Sequence, residues 1–308
     1  MARYLIRRLA FTLIAFLLIV TLTFVIMKLL PGEPFLNPKL PAATRQMLRH
    51  YYGLDKPLFM QYLHYLKNLC TGNLGRSLYE RGQEVSGIIL SRFPVSATLG
   101  LVALGFALIT GLGLGILAAL KHNRGWDYLA MTVAVIGIGV PNFVFATLMQ
   151  YLIGVKLRWL PVALWGSPRQ IVMPALALAM GTLALMARLV RTSMLEVLRQ
   201  DYITTARSKG LSSRRIIWSH ALRNALLPVL TILGPLVASI ITGTFIIEHI
   251  FAIPGLGKYF VVSIYNRDYP LIMGTTIFYA GILLTINFAI DLLYGLIDPR
   301  IRLAGGEE

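Results

Sequence analysis

The sequence predicts an all-α integral membrane protein with six transmembrane helices. Three observations predict it. Charged residues make up only 14% of the 308-residue chain, against about 25% in soluble domains. Six stretches, 9–27, 93–120, 128–155, 170–187, 224–247 and 269–290, carry no Asp, Glu, Lys or Arg. Each is long enough to span a bilayer, which takes roughly 20 apolar residues. The positive charge is also distributed by side. With the N-terminus inside, Arg3, Arg7, Arg8, Lys121, Arg124, eight basic residues between 188 and 223, Arg300 and Arg302 fall on the inner face. The two short outer loops hold only Lys156, Arg158, Arg169, Lys258 and Arg267. This is the positive-inside pattern, with both termini cytoplasmic. The net charge of +16 therefore reports topology and an anionic inner leaflet rather than nucleic-acid binding.

The chain divides into three parts. Residues 1–92 hold the first transmembrane helix and a long external segment. Residues 93–300 hold five more spans with a cytoplasmic loop at 188–223. Residues 301–308 form a cytoplasmic tail. The first apolar run exceeds the length of a signal-peptide core and reads as a retained helix. In the external segment, "PLFMQYLHYLKNLC" at 57–70 reads as an amphipathic helix. Pro57 suits its first position, and Leu58, Phe59, Tyr62, Leu63, Leu66 and Leu69 share one face. "GNLG" at 72–75 stops it. Gly111, Gly113 and Gly115 in the second span allow close helix approach. Pro141 interrupts the third span, Pro174 the fourth, and Pro228 and Pro235 the fifth.

Several chemistries are excluded. The nearest match to a phosphate loop, "AIPGLGKYF" at 252–260, has Ala252 where the first glycine belongs and Tyr259 after the lysine. Neither a His-Glu-x-x-His nor a Gly-x-Ser-x-Gly motif occurs. The lone Cys70 permits no intrachain disulfide and no metal site, so no metal ligands are expected. Lys28 lies near a span end and can snorkel. Glu248 closes the fifth span, and Asp291 sits near the inner end of the sixth. Deep acids of the kind a proton-coupled secondary transporter uses are missing.

The segment "DYITTARSKGLSSRRIIWSHALRNALLP" at 201–228 stands out between two apolar runs. Asp201 is expected to cap a helix over Tyr202–Lys209. Gly210 is expected to terminate it in the left-handed conformation, with Arg207 and Lys209 in the last turn. Thr204, Thr205, Ala206 and Ser208 would then be small exposed residues. A second helix is expected from Ser212 or Ser213. A short rigid helix projecting from the membrane is a good shape for docking on a cytoplasmic partner.

This segment resembles the conserved cytoplasmic loop of ATP-binding-cassette (ABC) importer permeases. In particular it is similar to the first membrane subunit of the oligopeptide/dipeptide/nickel class. The resemblance extends in order through "LIRRL" at 5–9, "LLPGEPF" at 29–35, "YGLDKPLFMQYLHYLKNL" at 52–69, "FPVSATLG" at 93–100, "VPNF" at 140–143, "IIEHIFAIPGLGKYFVVSI" at 246–264, "NRDYP" at 266–270 and "DLLYGLIDPR" at 291–300. The family's loop carries Glu-Ala-Ala, three residues and Gly. Thr204, Thr205, Ala206 and Gly210 match those positions, so the glutamate and first alanine are replaced.

The resemblance implies a type I ABC importer permease fold in the cytoplasmic (inner) membrane of a bacterium or archaeon. It implies half of a translocation pathway, most similar to oligopeptide permeases, with dipeptides next and nickel or another small solute as the alternative cargo. Implied partners are a second, homologous permease, two cytoplasmic ABC ATPases and an extracytoplasmic peptide-binding protein. No cofactor is expected on this chain, and ATP and Mg would be held by the ATPases. Tyr202, Thr204, Thr205, Ala206, Lys209, Gly210, Leu211 and Arg214 are the candidates for coupling to the ATPase. Asn142, Thr242, Gly243 and Thr244 are the candidates for the pathway, as polar or small residues within spans.

Overall fold

The structure is a computed structural model that describes residues 2–29, 43, 46, 47, 50, 53, 55–80 and 82–297. The side chains of 2–4, 239, 242, 243 and 293–297 fall outside that description. The tail 301–308 and much of 31–54 therefore lie outside the described residues, as do the side-chain surroundings of the pathway candidates Thr242 and Gly243.

The first span is α1, Ala2–Leu29, and the external helix is α2, Leu58–Cys70. Pro57 sits just outside α2 with an extended backbone. The second span, α3, runs Val85–Leu120. It starts eight residues before the apolar run at 93, because Val85, Ile88 and Ile89 are buried and Pro94 is carried inside the helix. The third span is broken: α4, Gly125–Gly139, and α5, Asn142–Lys156, meet at 106°. Val140 and Pro141 are both extended there. A proline disfavours the helical region for the residue before it. The fourth span is α6, Pro168–Leu198. Pro168 begins it, and the Gln170 side chain accepts the Ser167 N–H at 2.9 Å, one half of a capping box.

Two helices of the hairpin follow, α7, Asp201–Ser208, and α8, Ser213–Ala225. Then come α9, Leu227–Ile250, α10, Leu256–Tyr265, and α11, Tyr269–Ile297. Among the described residues, four helices are long and apolar enough to cross a membrane, and two bent pairs bring the number up to six. Leu9, Phe11, Leu13, Ile14, Leu18 and Ile26 on α1 are exposed. Such a stripe would be an aggregation hazard in water and is an ordinary lipid-facing surface in a bilayer.

The chain forms two compact units. The first comprises Met1–Pro94 and Lys258–Phe288. Here α2 packs on α1 through Gln61, Tyr62 and Tyr65. Thr21 and Tyr62 share a hydrogen bond of 2.7 Å, and Phe24 meets the rings of Tyr62 and Tyr65 at 5.3 and 5.6 Å. Lys28 is half-buried and donates to Gln61 Oε1 at 2.5 Å. On the apolar face of α2, Tyr62, Leu66 and Leu69 are half-buried, and Leu58, Phe59 and Leu63 are exposed. Asp268 of the "NRDYP" motif is fully buried. It accepts hydrogen bonds from the Ser77 hydroxyl and from the N–H groups of Leu78 and Tyr79, which pins the 77–79 turn beside the start of α11.

The second unit comprises Val95–Gly257 and Ala289–Glu308. Its centre is α6, against which α4, α5 and α9 pack. Gly111 and Gly115 of α3 explain the close approach of that helix. A Cβ on Gly111 would come within 2.8 Å of Met186 Cβ, and one on Gly115 within 2.7 Å of the Ala187 carbonyl oxygen. Gly113, two residues round the helix from each, faces open space. Only the pair four residues apart shares the packed face. Gln150 ties the second half of the broken span to its surroundings, donating to the carbonyls of Val162 and Ile250 at 3.0 Å. The turn after α9 is filled by the buried Glu248 carboxylate, 2.5 Å from a Cβ placed on Gly255 and 2.9 Å from one placed on Gly257.

Candidate functional site: the basic hairpin

The hairpin begins at Gln200, whose extended backbone starts α7. Asp201 is the first helical residue, and no side chain caps the helix. The expected Asp201 cap is thus corrected by one position. Its carboxylate still lies in the first turn, where a negative charge suits the helix dipole. At the other end Gly210 has φ of +75°. The Gly210 N–H bonds Arg207 O at 2.9 Å and the Leu211 N–H bonds Ala206 O at 3.3 Å. These are the two bonds of a Schellman motif, which satisfies carbonyls at the end of the helix. Ser212 then caps α8, its hydroxyl accepting the Arg215 N–H at 3.4 Å.

One face of the hairpin is buried. Ile203 and Ile216 are 0% and 3% exposed and share a cluster with Met186, Val190 and Met194 of α6, Ala119 of α3 and Val229 of α9. Burying an isoleucine side chain contributes about 1.5–3 kcal/mol. Ala206 is in that cluster, and Leu211 packs against it. The expected exposure of Ala206 is therefore incorrect: it packs inward, and Leu211 is half-buried. Tyr202 bridges the two helices, its hydroxyl accepting the Asn224 amide at 2.8 Å. The outward face carries Tyr202, Thr204, Thr205, Lys209, Gly210 and Arg214. A Cβ on Gly210 would meet nothing within 4 Å. Its glycine is required by backbone conformation and not by packing within this chain.

Sequence reasoning missed two features. Trp218 is 60% exposed and, with Ser212, Arg214 and Arg215, lines an open groove of about 570 Å³ beside the hairpin. A single exposed aromatic leaves no periodic signal. The other feature is an ion pair near the C-terminal end of α6. Arg191 donates to Asp127 through Nε at 2.5 Å and Nη2 at 2.8 Å. Asp127 also accepts the Asn123 N–H at 2.9 Å and lies 3.1 Å from His122 Nδ1. This two-pronged pair ties the start of α4 to the helix on which the hairpin rests.

The pathway candidates are placed apart from this site. Asn142 opens α5 directly after the break and faces α6, with Oδ1 3.5 Å from a Cβ placed on Gly181. Thr244 is 1% exposed, and its hydroxyl bonds back to the Ile241 carbonyl at 2.8 Å.

Residues 111–303 match the family described as binding-protein-dependent transport system inner membrane component. The chain belongs to that family. Residues 1–100 match the corresponding N-terminal component of the same systems. The permease is 53% identical to the dipeptide transport system permease protein DppB of Bacillus subtilis over 98% of this chain and 99% of that protein. It is 41% and 40% identical to the oligopeptide transport system permease proteins OppB of Haemophilus influenzae and Escherichia coli, each over 98% of this chain and all of the relative. Among solved structures, an inward-facing MetNI methionine ABC transporter superposes with a TM-score of 0.58 at 18% identity, covering 68% of this chain and 96% of that one. An amino acid ABC transporter with histidines superposes at 0.53 and 18% identity, covering 68% and 93%. These likenesses establish the type I ABC permease fold. The permease is an integral, multi-pass inner-membrane subunit of an ABC importer.

Proposed function

We propose that this permease forms half of a peptide translocation pathway and takes its driving force from a separate ATPase seated on the α7–α8 hairpin. One observation carries the proposal: the hairpin is exposed on one face and packed by its other face against α3, α6 and α9. A packed interior transmits displacement instead of absorbing it. Movement of Tyr202, Thr204, Thr205, Lys209 and Arg214 by a partner is therefore carried into the spans. Gly210 and Leu211 shape the turn, and Ala206 anchors it. ATP and Mg would bind the partner ATPases, a second permease would supply the other half of the pathway, and an external binding protein would deliver cargo. Both termini would lie on the ATPase side. Peptide cargo is supported by the relatives, two named for oligopeptides and one for dipeptides. A switch of this kind needs ligands that favour its two states unequally, which ATP and the loaded binding protein supply.

The test is uptake of labelled di- and tetrapeptides into proteoliposomes that hold the complete transporter. Uptake is expected to require ATP on the hairpin side and to survive collapse of the proton gradient. Uptake driven by a proton gradient without ATP would make the permease a secondary transporter and would remove the proposed role of the hairpin.

A further inference from the structure

The loop between α5 and α6, residues 157–167, carries backbone strain beneath exposed side chains. Leu164 has φ of +81° and Arg158 φ of +56°. That region is unfavourable for a residue with a side chain and is an outlier for a bulky one. The loop is nonetheless fixed in place. Gln150 of α5 donates to Val162 O at 3.0 Å, and Gln170 of α6 donates to Ala163 O at 3.4 Å. The Leu164 N–H donates to the carbonyl of Phe251, the residue after α9, at 2.9 Å. Leu160 and Trp165 pack on the core cluster that holds Met173 and Leu178 of α6. Trp159 and the strained Leu164 are instead turned outward, 71% and 63% exposed.

Packing within this chain does not account for the strain, since the Leu164 side chain is mostly exposed. Strained residues persist only where the surrounding structure over-determines them, and they gather at functional surfaces. A bilayer interface asks for amphipathic side chains and imposes no fixed geometry, so an unstrained loop would serve it equally well. A preorganised knob suits a partner with a fixed surface. Three observations choose that partner. Helix α6 has 31 residues and is about 46 Å long, so the loop and the hairpin lie at its opposite ends. With the hairpin on the ATPase side, the loop faces the external side, and the family is binding-protein-dependent. Lys156, Arg158 and Arg169 surround the loop, and the sequence holds no acid between Asp127 and Glu196. Arg169 lies in the first turn of α6, where the helix dipole disfavours a cation, so its charge does not serve its own helix. We infer that the 157–167 loop is a docking surface for the external binding protein, which seats Trp159 and Leu164 in an apolar depression rimmed by acidic residues.

The proposal rests on the hairpin facing the ATPases. The experiment is biolayer interferometry of the system's own binding protein, loaded with dialanine, against the complete transporter in nanodiscs. Leu164→Ala and Trp159→Ala are each expected to weaken binding roughly tenfold, as loss of a central interface anchor does. Association is expected to slow as salt is raised. Leu164→Gly is the sharper variant, because glycine removes the side chain and the strain together. It is expected to weaken binding as Leu164→Ala does, while its thermal midpoint lies above that of Leu164→Ala. Wild-type affinity in both alanine variants would overturn the proposal and leave the loop as an anchor in the bilayer interface. A Leu164→Gly midpoint below that of Leu164→Ala would contradict the strain, and with it the case for a built knob. Docking that appears only after the ATPases are stripped off would put both partners on one side and overturn the reading of the hairpin instead.

Discussion

Gly210→Asp is expected to lower peptide uptake about tenfold or more while the protein still inserts and accumulates at the normal level. The reasoning separates two effects. At φ of +75° a side chain meets backbone strain of about 1–2 kcal/mol, and Asp is among the few residues that visit this region. A Cβ there touches nothing within 4 Å in this chain, so the fold loses little. The loss of function arises where the turn meets a partner, through added bulk and negative charge. Coupling energies between sites are typically about 1–3 kcal/mol, or roughly 5- to 150-fold. Gly210→Asn has nearly the same shape and conformational tolerance without the charge. It is expected to fall between the two in an uptake assay. Normal uptake in Gly210→Asp would remove Gly210 from the coupling surface.

Arg191→Ala is expected to cost about 3 kcal/mol of stability, at the low end of the range for removing one partner of a buried ion pair. Asp127 is 3% exposed at its side chain, and Arg191 keeps 22% of its surface in solvent, which places the cost at that end. The variant leaves a buried carboxylate with only Asn123 N–H and His122 nearby. Thermal unfolding in detergent reads the loss. The double variant Asp127→Asn/Arg191→Ala is expected to recover part of it, because the uncompensated charge is gone. Equal destabilisation in both would assign the effect to lost packing of the arginine stem.

The parts of the fold set by local chemistry were legible in the sequence. Charge-free runs located the spans, Pro141 located the break between α4 and α5, and Gly210 located the end of α7. The start of α3 was not legible, because Pro94 and the polar residues before it read as a boundary. Burial of Val85, Ile88 and Ile89 overrides that signal. The hairpin was half legible. Its turn follows from residue types, but the inward orientation of Ala206 depends on Met186, Val190 and Met194, contributed by another helix. The Asp127–Arg191 pair spans 64 residues, and no local spacing announces it. A threonine such as Thr244 that bonds its own helix has the same sequence appearance as one facing a cavity.

The most direct measurement is site-specific cross-linking from the hairpin to a co-expressed ATPase subunit. Because Ala206 faces inward and Thr205 outward, the reporter belongs at Thr205, with Ala206 as the buried control. Thr205→Cys, carrying a short bifunctional linker, is expected to capture the ATPase with a yield that changes between nucleotide-free and ATP-bound states. Ala206→Cys is expected to capture it poorly in both. Failure of Thr205→Cys to cross-link in any nucleotide state, with the transporter assembled and active, would contradict the hairpin as the ATPase contact.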